Sequence, residues 1–338
     1  MNLPLYRCSD PKLGPKGNSG LWYDKFCYKW DGDWRKGLGD GGKSDWIDTV
    51  LKDDQGNRLL QGDEALLEEM AERRRALISA SGGKSLIFRT KGPFVTGLGR
   101  SHPVENGFGW HHSLGVPYLP GSSIKGMVRS WAHNWEEMDI KEIGRIFGPD
   151  NSSSVGSVVF LDALPLRPVK LKKEIMTPHY GPYYSGSEPP ADWHSPIPIP
   201  FLAVDAEQDF LFGLVPRIGG TEDCKKVEAW LLETLQCIGA GAKTAVGYGR
   251  FELFEPPDPG REWLEELAKS EGGTPEEFAK KSPKVLEERW EKIEDNSLKK
   301  DVLNEIKKIY QEIDWWDGGG GGSAKKAIKH YKSWEAGH

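Results

Sequence analysis

The spacing of apolar positions changes character several times along the 338 residues. Residues 1–60 are rich in Gly, Asp, Lys and Trp and show little periodicity. They predict irregular structure packed by Trp22, Tyr23, Phe26, Tyr28, Trp30 and Trp34. Over residues 63–80, Leu66, Leu67, Met70, Leu77 and Ile78 fall on roughly one helical face, and Ser81-Gly82-Gly83 supplies a stop. From residue 85 the pattern becomes regular. Residues 85–90 form a short apolar, strand-like run. Residues 121–133 carry Ile124, Met127, Val128 and Trp131 at i, i+3, i+4 and i+7, which predicts an amphipathic helix. A second short helix is expected over residues 140–147, stopped by Gly148-Pro149. Residues 157–163 are strongly β-branched and residues 208–216 are a further apolar run, so both read as strands. Residues 222–238 predict a helix, residues 239–249 a loop, and residues 250–254 a last strand.

In order, this is strand, helix, strand, strand, helix, strand. The expected fold class is α+β: a ferredoxin-like βαββαβ core, the layout of an RNA-recognition motif, with long insertions and a helical C-terminal extension. The expected division is an N-terminal segment with one helix packed on the core (1–84), the core (85–257), an acidic helical extension (258–317), and a Gly-rich linker with a basic tail (318–338). Residues 164–206, rich in proline and aromatics, read as an irregular insertion in the core. Three helical stretches are expected in the extension. Thr274-Pro275-Glu276-Glu277 is a capping box and Ser282-Pro283 a second start signal. The run GGGGGS at 318–323 reads as a flexible linker, and the basic segment from Ala324 as either a solvated tail or an arm that contacts RNA or a partner.

Charge narrows the functional classes. The net charge of −6 excludes a wholly basic nucleic-acid binder but not a local basic surface. Residues 91–130 hold Lys91, Arg100, Lys125 and Arg129 against Glu105 alone, and residues 239–251 hold Lys243 and Arg250 with no acid. The longest apolar runs fall far short of the roughly 18 residues of a membrane helix. No secretory leader pattern opens the sequence, and the four cysteines, Cys8, Cys27, Cys224 and Cys237, have no metal-site spacing. The expectation is a cytoplasmic chain with reduced thiols, no cofactor, no metal and no membrane contact.

Four segments could carry chemistry. In VPYLPGSSIKGMVR (116–129), Ser122 and Ser123 sit at a helix start, where N–H groups favour an anion. Lys125 and Arg129 share a face. A capped helix with two solvated cations fits the same residues. In GAGAKTAVGYG (239–249), glycines surround Lys243 and Thr244 and could expose backbone N–H groups to phosphate, but neither a Walker A motif nor a dinucleotide fingerprint is matched. A plain turn is the other reading. In FVTGLGRSHPVENGFGWHH (94–112), Arg100, His102, His111 and His112 crowd a Gly-rich loop. They suit acid–base chemistry or ordinary polar loop structure. In residues 176–194, His179 and Tyr180 lie among aromatics that could stack bases or pack the loop.

The combination of LPGSSIKGMVR after FVTGLG, then VVFLDA, MTPHYGPYY, PPADWHSPIPIPFL and GAGAKTAVGYGRF, resembles the RAMP superfamily of CRISPR-associated proteins. Within it, the likeness is to a subunit of type III-B (Cmr) effector complexes. It runs from about Gly20 to Phe254. The resemblance implies a ferredoxin-like core that holds CRISPR guide RNA through its first helix and glycine loop. It also implies a position at the guide 3′ end, beside the other Cmr backbone RAMP subunits and the small helical subunits. Contact with target RNA follows, with cleavage left to neighbouring subunits. The matching residues are Gly121, Ser122, Ser123, Lys125 and Arg129 in the helix, and Gly239, Gly241, Lys243, Gly247 and Gly249 in the loop. Arg100, His102, His179, Tyr180 and Arg250 complete the candidate RNA-binding set. An antiviral, non-catalytic RNA-binding and assembly role is the leading reading. A metal-independent endoribonuclease using His102, His111 or His112 is the alternative, and a pure protein adaptor is a third.

Overall fold

The computed structural model describes residues 13–14, 17–30, 37–39, 41–149, 154–255 and 258–336. Cys8, Trp34 and the Pro256-Pro257 stop lie outside them. The chain forms two units, Met1–Phe254 and Glu255–His338.

The first unit begins with two short helices where irregular structure was expected: α1 (Ser19–Lys25) and α2 (Gly42–Asp48). Apolar periodicity is hard to read over seven residues, but aromatic packing fixes them. Trp22 and Trp46 lie 5.6 Å apart and Tyr23 stacks on Trp46 at 6.2 Å, all three buried. A short strand, β1 (Leu60–Gln61), precedes α3 (Glu64–Ala80), which Asp63 caps by accepting from the Leu66 N–H. Leu67, Ala71 and Ile78 face inward, whereas Leu66 and Leu77 point to solvent.

The main sheet contains β2 (Lys84–Thr90), β3 (Val158–Phe160), β4 (Leu164–Pro165), β7 (Asp209–Pro216) and β8 (Phe251–Leu253). Its order is β3-β7-β2-β8, with β4 also on β7, and every pairing is antiparallel. Leu86 lies opposite Phe212 and Phe88 opposite Phe210, so alternate residues present one apolar face. Two long helices, α4 (Gly121–Asn134) and α7 (Thr221–Cys237), pack together over that face. The short α5 (Ile140–Phe147) leans on α4. On the other face α3 lies against β2 and β7, where a Cβ at Gly213 would come 2.7 Å from Ile78.

Two expectations fail here. The strand expected over residues 157–163 is shorter, ending as β3 at Phe160, and the chain rejoins β7 as β4 only from Leu164, because Ala163 bridges Leu119 instead. The break delivers the Asp162 carboxylate to the start of α4. The insertion 164–206 is also not irregular. It holds β5 (Val169–Met176) and β6 (Ile199–Val204), which pair antiparallel and, with β1, make a second sheet of order β1-β5-β6. The segment between β5 and β6 carries α6 (Gly181–Tyr184).

The second unit has four helices before the glycine tract rather than three: α8 (Pro259–Ser270), α9 (Pro275–Lys281), α10 (Pro283–Glu291) and α11 (Asn296–Glu312). Asp258, Thr274 and Asp295 cap α8, α9 and α11, while Ser282 precedes α10 without a side-chain cap. The expected linker and tail are neither. Residues from Gly322 form α12 (Gly322–Glu335), whose Ala327, Ile328 and Tyr331 enter the unit's core with Leu286 and Trp290. Two of the glycines before it are required by close packing: a Cβ at Gly319 would sit 2.3 Å from the Asp314 carbonyl, and one at Gly320 2.9 Å from the Trp315 ring. Four lysines hid the apolar stripe of α12 in the sequence.

Candidate nucleic-acid interface

Helix α4 has three distinct sides. At 3.6 residues per turn, Ile124, Val128 and Trp131 share the buried side. Ser123, Met127 and Ser130 share a second, and Ser122, Lys125 and Arg129 a third, roughly 130° from the second.

The second side forms one wall of a cleft of about 580 Å³. The opposite walls are Gly97, Leu98, Gly99 and Arg100 from one glycine-rich loop, and residues 238–242 with Thr244 from the other. Three segments far apart in sequence therefore meet at one concavity. Among the described residues its only charged lining residue is Arg100, which is exposed, and no acid lines it. Lys243 stands beside it, with its Nζ 5.3 Å from the centre of the Phe201 ring.

The third side of α4 faces a separate cleft. Ser122, Lys125 and Arg129 are thus turned away from Ser123, and the helix motif read as one site is divided between two surfaces. The helix start is also less open than expected. The Gly121 N–H donates to Asp162 Oδ1 at 2.7 Å, so the chain's own carboxylate occupies the first turn.

The glycine loop owes much of its composition to internal packing. Gly241 has φ of +84°, and a Cβ there would lie 2.1 Å from the Val95 carbonyl oxygen. Gly239 and Gly249 are equally tight, whereas Gly247 faces open space. The N–H groups of Gly239, Ala240, Ala242 and Gly249 donate to Thr234, Gly249, Val95 and Pro93 carbonyls. Those groups are not offered to a ligand. The Arg250 guanidinium donates through Nη1 to the Ile238 carbonyl at the end of α7, which ties that side chain to the protein's own backbone.

His102 also leaves the candidate set. Its ring stacks on Tyr23 at 4.3 Å. Its Nδ1 accepts from the Val104 N–H at 3.3 Å, which leaves Nε2–H to donate to the Tyr23 carbonyl at 2.9 Å. Burial pushes its pKa down to about 4, so the ring is neutral near pH 7. His111 accepts from the Leu114 N–H at 3.3 Å, and burial, then Arg74, lowers its pKa. His112 gives its carbonyl to the Asn18 amide. His179 and Tyr180 lie on the β5–β6 connection, His179 exposed and the Tyr180 hydroxyl donating to Asp192 at 3.3 Å. Tyr184 at 75% and Trp193 at 80% exposure, both within the segment read as able to stack bases, are the more open aromatics there. Among the described residues no group of three or more His, Cys, Asp or Glu is placed to hold a metal. No described helix is long and apolar enough to cross a membrane.

Known proteins resemble this chain. The family model of the RAMP superfamily matches residues 87–252, just under half of the chain. Over 226 residues it is 31% identical to the CRISPR system Cmr subunit Cmr6 of Pyrococcus furiosus, covering 48% of this chain and 66% of that protein. Over 187 residues it is 31% identical to the CMR subunit Cmr6 of Saccharolobus solfataricus, covering 55% of this chain and 56% of that protein. The chain therefore spans slightly under two thirds of one curated relative and just over half of the other. A chain in the cryo-EM structure of the Type III-B Cmr-beta bound to cognate target RNA shares the fold, with a TM-score of 0.51 at 24% identity over 70% of this chain and 80% of that one.

Proposed function

We propose that this chain is a Cmr6-like, non-catalytic subunit of a cytoplasmic type III-B Cmr complex. It binds guide RNA at the 3′ end of the backbone filament, beside backbone RAMP and small helical subunits, and contacts target RNA in antiviral defence. In this reading β2-α4-β3-β7-α7-β8 is the ferredoxin-like βαββαβ unit, and the sheet order β8-β2-β7-β3 supports it. The observation that carries the proposal is the acid-free cleft where the two glycine-rich loops and α4 converge beside Lys243. Such a concavity suits a phosphate backbone, whose binding weakens with salt.

The nuclease reading loses its best candidate, because a buried imidazole with both nitrogens engaged by the backbone is a poor proton carrier near neutrality. The test is co-purification of guide RNA with partner subunits, followed by crosslinking of the bound chain to guides labelled at either end. Crosslinks to the 3′ portion, with the RNA uncut, are expected. Complexes that form without this chain meeting RNA would overturn the proposal. Cleavage abolished by His111→Ala would favour the nuclease.

A further inference from the structure

Resting on that RNA-binding reading, we infer a second, separate nucleotide-binding cleft on the far side of α4, with Arg217 as a contact that the family motifs do not include. This cleft has a volume of about 430 Å³. Its cations come from two places. Lys125 and Arg129 stand one turn apart on α4, and Arg217 sits on the corner that follows β7. Among the described residues no carboxylate lines it, and neither Lys125 nor Arg217 forms an ion pair. The nearby acids are already engaged: Asp223 with Arg145, and Glu142 with Arg145 and Lys226.

The corner is firmly built. The Arg217 N–H donates to the Ser157 carbonyl at 2.8 Å, and the Arg217 carbonyl accepts from Gly220 at 2.8 Å. The guanidinium therefore extends, exposed, from fixed backbone. Behind the cations the wall is apolar, with Phe160 stacked on Phe147 at 5.8 Å. Cations at the mouth and an aromatic wall behind them match the two halves of a nucleotide, phosphate outside and base or ribose inside. Like charges such as Lys125 and Arg217 in a concave surface also concentrate an anionic ligand. A helix about 10–12 Å across separates this cleft from the glycine-lined one, so the two hold different phosphates.

The test is binding of single-stranded RNA to the full chain, followed by fluorescence anisotropy across a salt series. Arg217→Ala is expected to lower the slope of log K against log salt by about 0.7, the value for one phosphate contact on a single strand. Arg217→Lys should keep the slope, because it keeps the charge. Lys125→Ala should lower it again in combination. An unchanged slope and affinity for Arg217→Ala overturns the second cleft while leaving the first intact. Unchanged RNA binding with loss of a partner subunit on co-purification overturns it in favour of an acidic protein ligand. A wild-type chain with no salt-dependent RNA binding overturns this inference and the proposed function together.

Discussion

Replacing Gly241 tests whether the glycine loop is shaped by RNA or by the protein itself. The residue has φ of +84°, a left-handed conformation that costs a non-glycine residue about 1–2 kcal/mol. A Cβ would also stand 2.1 Å from the Val95 carbonyl oxygen, so the two backbones must separate. That separation weakens the Ala242 N–H donation to the same oxygen, now at 2.8 Å, a bond worth about 1 kcal/mol. The combined loss for Gly241→Ala is about 2–3 kcal/mol. For a unit of this size that lowers the melting temperature by roughly 5–10 °C. Two controls isolate the causes. Gly247→Ala meets the left-handed penalty alone, since nothing lies within 4 Å of its Cβ, and should lose about 1–2 kcal/mol. Gly126→Ala sits in open space on α4 and should gain about 0.5–1 kcal/mol. Calorimetry of the RNA-free chain orders the three, and hydrogen exchange at the Ala242 amide reports the local bond. If Gly241→Ala melts within about 1 °C of Gly247→Ala, the Val95 contact does not dictate the glycine. A backbone path for RNA then becomes the better account.

Three further outcomes are expected. The His102 pKa is lowered from 6.5 to about 4, so its contribution to stability is complete above pH 6.5 and is lost as pH falls from 6.5 towards 4. Urea midpoints for the wild type should drop over that window and flatten in His102→Gln, and an imidazole titration near 6.5 by NMR would contradict the buried pairing. Asp162→Ala removes the carboxylate at the Gly121 N–H and should cost about 1–2 kcal/mol in a urea titration; no change would mean that solvent caps α4 equally well. Lys243→Ala should reduce the salt slope of RNA binding by about 0.7 with unchanged circular dichroism, whereas loss of structure would show that its packing on Phe201 matters more than its charge.

The regular elements were legible because their periods are long enough to read. Helix α4 repeats its apolar residues over about two turns, and β2 alternates Leu86, Phe88 and Thr90 into the core. Short elements were not. Helices α1 and α2 are held by ring contacts between Trp22, Tyr23 and Trp46, which are distant in sequence. The site was half legible: glycine-rich segments and lone cations pointed to the right surfaces. What the sequence could not say is that α4 turns Lys125 and Ser123 to different clefts, or that Arg250 and His102 donate to backbone carbonyls. Those roles depend on what the fold brings alongside, and a carbonyl oxygen leaves no mark in a residue pattern.

The packed glycine tract bears on how the chain is shortened or tagged. A cut after Asp317, where the composition invites one, removes Ile328 and Tyr331 from the helical unit. It also strips the Trp290 ring of its edge contacts with Tyr331 at 4.9 Å and Trp334 at 5.5 Å. Fully burying one such side chain contributes about 1.5–3 kcal/mol, against a total of about 5–15 kcal/mol for a typical domain. The truncated unit would expose an aromatic groove and aggregate. Loss of RNA or partner binding after such a deletion would then report unfolding rather than the missing lysines. Point changes at Lys325 or Lys329, which are exposed, separate charge from fold where a truncation cannot.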